Sequence, residues 1–235
     1  MFDFNSLSRQ GGASPAPVLY TYYTSDDMDV VAASGYFNEA YTWLKVNDLI
    51  RVVNTKNVYD LLVTSVGKKS VVIARLSKVG WASYYDTATQ ATPISMLADT
   101  WYDVPNNGLG TASSSAYLPY GYTDVWNASA GQFESSDLKL GDSVDLQIDL
   151  TWTSQTGNSA VEIELVLTED GVDYSIPYLP ETAFKSTGEH RIIQQKGVFF
   201  ENELSLSATA KFRIRADAAS SFKVNSFYVR LYLNG

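Results

Sequence analysis

Alternation of apolar and polar residues with a period of two runs through the second half of this 235-residue chain and sets its fold class. From Val144 to Trp152, the residues Val144, Leu146, Ile148, Leu150 and Trp152 share one phase, and Asp145, Gln147, Asp149 and Thr151 share the other. Val161, Ile163, Leu165 and Leu167 repeat the pattern against Glu162, Glu164 and Val166, and Phe212, Ile214 and Ala216 alternate with Lys211, Arg213 and Arg215. Successive side chains of a strand point to opposite faces, so each such strand has one buried and one wet face. Turn signals at Gly141-Asp142, Thr156-Gly157-Asn158, Glu169-Asp170-Gly171 and Thr187-Gly188-Glu189 separate the strands, which together predict a jelly-roll-like antiparallel β-sandwich. In the last strand, Phe222 and Val224 fall out of phase with Phe227, Val229, Leu231 and Leu233, which predicts a bulge near Asn225-Ser226.

The first half is also mainly β but less regular. Residues 1–17 read as a flexible arm: Gly11, Gly12, Pro15 and Pro17 prevent regular structure, while Phe2, Phe4 and Leu7 are apolar anchors suited to a neighbouring subunit or particle. Residues 18–110 read as a β-rich module with an irregular loop region, and residues 111–235 as the sandwich, with the boundary placed softly between 77 and 116. Within the module, Phe37, Tyr41 and Leu44 fall at helical spacing and predict one short helix of about two turns. Gly67-Lys68-Lys69 predicts a hairpin between Val58–Val66 and Ser70–Leu76, and the run Val71-Val72-Ile73-Ala74 predicts a strand covered on both faces. No internal repeat is evident.

Composition narrows the function classes. With 45% hydrophobic and 18% charged residues the chain can pack a core. A net charge of −9 without a Lys/Arg cluster disfavours nucleic-acid partners. The absence of cysteine excludes disulfides and thiolate chemistry. No apolar run is long enough for a bilayer, and the acidic Met1-Phe2-Asp3-Phe4 start is unlike a signal peptide, so no membrane partner is expected and synthesis is expected in the cytoplasm.

Candidate chemistry is sparse. His190 lacks a nucleophile elbow and reads as structural; Glu162 and Glu164 lie on the wet face of a strand, where cross-strand pairing with Arg213 or Arg215 is the expectation. The acidic turns at 26–29 and 169–173 lack the spacing of a calcium loop. The chain is therefore read as non-enzymatic, with no cofactor. Trp81, Trp101, Tyr120, Tyr122 and Trp126 carry a glycan-stacking hypothesis that competes with core and interface roles.

Two stretches carry a resemblance. Tyr22-Tyr23-Thr24-Ser25-Asp26-Asp27, then Ala33-Ser34-Gly35-Tyr36-Phe37-Asn38, then Leu44-Lys45-Val46-Asn47-Asp48-Leu49-Ile50 resembles a module of tailed-bacteriophage virion proteins, over roughly Leu19–Leu76. Phe133 to Asp142 with the alternating strands is similar to trimeric jelly-roll domains of phage heads and fibres. The resemblance implies a homotrimeric capsid decoration or head-fibre protein in the virion. It docks on the major capsid protein or on tail proteins through its N-terminal half, with Phe2, Phe4, Leu7, Tyr36 and Phe37 as docking candidates. The alternative it leaves is a tail or baseplate protein that binds a receptor or cell-surface glycan.

Overall fold

The structure is a computed structural model that describes residues 1–11, 16–55, 57–119, 121–122, 124–200 and 208–234, the side chain of Asp29 excepted. The chain divides into two units, Met1–Ser77 and Lys78–Gly235. The division lies at the N-terminal edge of the 77–116 stretch, because residues 79–103, which the 18–110 bounds assign to the first module, supply strands to the second unit.

The first unit is a sheet of β1 (Leu7–Gln10), β2 (Leu19–Tyr23), β3 (Leu49–Val53), β4 (Val58–Gly67) and β5 (Ser70–Arg75), hydrogen-bonded in that order. Only the pair β2 and β3 is parallel among them. Its core gathers Tyr20, Tyr22, Ile50, Val52, Leu61 and Val63, all nearly inaccessible to solvent. The Lys68-Lys69 turn closes the β4–β5 hairpin as expected, with Lys69 at φ 61°.

Three expectations for this unit are corrected. Residues 1–10 are no flexible arm: β1 pairs antiparallel with β2, and Phe2 and Leu7 are buried in the unit's own core. The expected two-turn helix is a single 3-10 turn, Asn38–Ala40, and the Asn38 side chain accepts the backbone N–H of Val71 at 2.9 Å. Phe37 and Leu44 are buried as the spacing required. The β5 strand is covered on one face only, with Val71 buried and Val72 half exposed.

The second unit is the predicted sandwich. One sheet orders β10 (Trp126–Asn127), β11 (Gln132–Glu134), β16 (Thr209–Ala216), β13 (Ser159–Glu169) and β14 (Val172–Phe184), with β8 (Tyr102–Asp103) also pairing β16. The other orders β15 (Gly188–Phe199), β12 (Ser143–Ser154), β17 (Ser220–Tyr232), β6 (Val79–Tyr85) and β9 (Ser114–Tyr117), with β7 (Ile94–Met96) also pairing β17. Every pairing in both sheets is antiparallel. From β12 onward every connection but the β13–β14 hairpin crosses between the sheets, so β12 lies between β15 and β17 while β13 lies between β14 and β16. This crossing between layers is the jelly-roll arrangement.

The core holds the alternating residues that the sequence picked out: Ile148, Leu150, Trp152, Ile163, Leu165, Phe212, Ile214, Phe222, Phe227 and Val229 among them. Asp170-Gly171, at φ 48° and 77°, makes the tight β13–β14 turn.

The bulge falls where the phase change put it. Asp149 opposes Ser226 and Leu150 opposes Val224, leaving Asn225 unpaired in the ladder. A short helix (Ala88–Ala91) satisfies the backbone there. Thr89 Oγ1 accepts from Val224 N at 2.8 Å, and Gln90 Nε2 donates to Val224 O at 2.7 Å. At this bulge β17 also changes neighbour, pairing β7 before it and β6 after it.

Candidate interaction surface

A sandwich buries its inner faces on itself, so any further chemistry lies on its outer faces, loops or ends. The two outer faces of this unit differ in kind. On the β13–β16 side, cross-strand neighbours form an ion ladder: Arg213 donates to Glu164 at 2.8 Å and Arg215 pairs with Glu162, as the sequence suggested. Lys211 reaches Asp103 at 3.1 Å. Trp101 lies against this ladder, with the Arg213 and Arg215 guanidiniums 5.6 and 5.1 Å from its ring centre. The charges of this face are matched and partly dried by the protein itself.

The outer face of the other sheet is aromatic, amide-rich and open. Because Ala82, Tyr84, Phe227, Val229 and Leu231 point inward, Trp81, Tyr85, Tyr228 and Arg230 point outward. Trp81 stacks on Tyr117 of β9 at 4.5 Å and on Tyr228 of β17 at 5.6 Å. Since β9 and β17 flank β6 on opposite edges, both faces of the Trp81 ring are occupied. Beside this stack runs a trough of about 500 Å³ lined by Gln147, Gln195, Asp149, Arg191, Tyr85 and Ser226 among others. Arg191 holds Asp149 at 3.0 Å, and Asn225 of the bulge donates to the same carboxylate at 2.7 Å. Small residues, Ser83 and Ser226, leave the trough open, and on the same outer face Ile193, Tyr85, Tyr117 and Phe199 stand 40–69% exposed.

An apolar cavity of about 250 Å³ opens between the sheets, lined by Phe133, Leu138, Val144, Leu146, Val198 and Phe200 among others. Glu169 also lines it, and its Oε1 has no hydrogen-bond partner among the described residues.

The residues singled out in the sequence do not assemble into one site. Trp126 is buried at 4% exposure and donates its indole N–H to Asn106 O at 2.8 Å, so it is a core residue and unavailable to a sugar. Trp101 belongs to the ion ladder; Tyr122 is half buried and donates to Asp137 O at 2.8 Å. Tyr120 lies outside the described residues.

The docking candidates are likewise internal. Phe2 packs on Tyr22, Tyr36 and Phe37 with ring centres 5.3–6.1 Å apart, and Phe4 packs edge-on against Trp43 at 4.3 Å. Leu7 and Phe37 are buried, and the Tyr36 hydroxyl donates to Asp26 at 2.7 Å. As docking residues, Phe2, Leu7 and Phe37 are therefore corrected: their surface is consumed by their own unit.

His190 packs against Trp152 and Phe184 at 5.7 and 4.6 Å, with Nε2 2.9 Å from Ser186 O. No group of acidic or imidazole side chains placed to hold a metal occurs among the described residues. Among the same residues, no helix is long and apolar enough to cross a membrane.

Sequence reasoning named Trp81 among the sugar-stacking candidates but missed Tyr117 and Tyr228, which stack on it. The strand that places Trp81 was masked because two of its inward members, Gly80 and Ala82, are too small to register as an apolar phase.

No family model and no curated protein matches the chain. Among solved structures, it is similar to Eiger TNF from S. frugiperda at 10% identity and a TM-score of 0.41, covering 66% of this chain and 92% of that one. It is similar to infectious bursal disease virus Gx strain at 8% identity and a TM-score of 0.41, covering 78% of this chain and 40% of that one. It is similar to the CBM22-1 xylan-binding domain from Paenibacillus barcinonensis at 11% identity and a TM-score of 0.37, covering 68% and 99%. The sandwich assignment itself rests on the strand order and registers.

Proposed function

We propose that this chain is a non-enzymatic structural component of a bacteriophage virion, a capsid decoration or head-fibre protein acting as a homotrimer. Its N-terminal unit docks on the particle and its C-terminal jelly roll provides contacts between copies. The observation that carries the assembly role is the contrast between the outer faces of the sandwich, one closed by its own ion ladder and one left aromatic and open. The phage assignment is carried by the resemblance over Leu19–Leu76. With Phe2, Leu7 and Phe37 committed to the core, docking falls to exposed side chains of the first unit such as Trp43, Val46, Val58 and Val72. Co-sedimentation of the purified chain with emptied capsids, and its detection by mass spectrometry in purified virions, test this reading. Absence from virions together with no capsid affinity overturns it.

A tail-associated glycan-binding role is the second reading, and the polar trough beside Tyr85 and Tyr228 is what favours it. Retention of the chain by an oligosaccharide array tests it, and no retention on any glycan ends it.

A further inference from the structure

We infer that the outer face of the β15–β12–β17–β6–β9 sheet is the surface through which one copy of this chain packs on another. The inference rests on the assembly role proposed above and specifies its interface.

Charge supports a second copy as the occupant. On the strands of this face the outward cations are Arg191, Lys223 and Arg230, and the outward anions are Asp145, Asp149 and Glu189. Three against three leaves the face neutral on a chain whose net charge is −9. Two copies repel each other over most of their surfaces, and a neutral face is where that repulsion is least. Several of these charges are already engaged internally. Arg191 binds Asp149, Lys223 reaches Glu189 at 2.9 Å, and Asp145 accepts the Tyr232 hydroxyl at 3.1 Å. Covering them therefore strands few unpaired charges.

Size and chemistry agree. β12 has 12 residues, so with its neighbours it spans roughly 40 Å by 20 Å. That is about the 800 Å² that one partner contributes to a stable complex. The exposed side chains Ile193, Phe199, Tyr85 and Tyr117 are of the apolar and aromatic kind that anchors such contacts, and the trough over Ser83 and Ser226 offers a hole for a partner's knob. A sugar, by contrast, needs a free ring face, and the Trp81 ring has both of its faces covered by Tyr117 and Tyr228.

Sedimentation velocity of the full chain over a range of concentrations tests the inference. The wild type is expected to sediment as an oligomer. The variant carrying Tyr85→Glu and Ile193→Glu is expected to associate about a hundredfold more weakly. Tyr174→Glu, at an exposed position on the other sheet, should leave association unchanged. Both altered positions are exposed, so an unchanged thermal midpoint of the diluted variant reports that the fold is intact. A wild type that is monomeric throughout overturns the inference, as does an oligomer indifferent to the double substitution. A monomer that binds an oligosaccharide and loses it in the variant overturns it in favour of the sugar. Capsid co-sedimentation is read separately: a capsid-binding monomer removes the interface and keeps the virion role, and an oligomer without capsid affinity does the reverse.

Discussion

Asp48 and Asp142 hold the same place in the same turn, one in each unit. Asp48 accepts the backbone N–H of Lys45 and of Val18, both at 2.8 Å. Asp142 accepts the N–H of Lys139 at 2.8 Å and of Asn234 at 2.7 Å. Each donates its own N–H back to the lysine carbonyl at 3.0 Å. The preceding residue has positive φ in both, Asn47 at 73° and Gly141 at 87°. The sequences Leu44-Lys45-Val46-Asn47-Asp48 and Leu138-Lys139-Leu140-Gly141-Asp142 thus encode one device that starts a strand and ties a distant segment to it.

Replacing either aspartate by alanine leaves two backbone donors without their acceptor. Both are buried, at 1% and 2% exposure, so Asp48→Ala and Asp142→Ala are each expected to destabilise their unit by about 2–4 kcal/mol. Urea unfolding measures both, followed by Trp43 fluorescence in a variant whose other tryptophans are phenylalanine for the first unit, and by the fluorescence of a Trp43→Phe variant for the second.

The turn's positive-φ position predicts an asymmetry. Gly141→Ala adds a Cβ at φ 87° and drives it into the Asn234 side chain, so a loss of about 1–2 kcal/mol is expected. Asn47→Gly relieves a strained φ while loosening the unfolded chain, and its net effect should stay within about 0.5 kcal/mol. The same unfolding curves separate the two outcomes.

The two buried tryptophans of the sandwich should answer differently to phenylalanine. Trp126 Nε1 binds Asn106 O at 2.8 Å, whereas Trp152 Nε1 has no partner among the described residues. Trp126→Phe strands a carbonyl and should cost about 1–3 kcal/mol beyond its cavity; Trp152→Phe removes an unmatched donor and should cost less. Equal losses in thermal denaturation would contradict the assignment.

Acid should weaken the first unit in a specific way. The Met1 ammonium and then the Tyr36 hydroxyl hold the Asp26 carboxyl below the usual carboxylate range. Backbone N–H of Asn5 and then the Ser6 hydroxyl do the same for Asp3. A carboxyl whose pKa is depressed on folding stabilises fully above its unfolded value, and that contribution is lost as pH falls through the folded one. The thermal midpoint of the first unit is therefore expected to fall with acidification across and below that range, and Asp26→Asn should flatten the fall.

How much of this was legible depended on whether the signal was local. The phase change around Asn225 located the bulge, and Glu162 and Glu164 on the wet phase foretold their arginines. Phe2 was misread because glycines and prolines after it suggested a free arm, while the pocket that binds it is built by Tyr22, Tyr36 and Phe37 from elsewhere in the chain. β6 was missed for a related reason: its partner β17 lies far along the chain, and Gly80 and Ala82 on its inward side carry almost no hydrophobic signal. The aromatic face therefore came into view only once Trp81, Tyr117 and Tyr228 were brought side by side.

The unpaired Asn225 has a consequence for comparing this chain with others. At that residue β17 trades β7 for β6 and the 86–91 segment plugs the gap, while both halves of the strand stay paired to β12 in registers one residue apart. A sequence alignment that runs the last strand through in a single phase will assign every side chain on one side of Asn225 to the wrong surface, turning core into exterior.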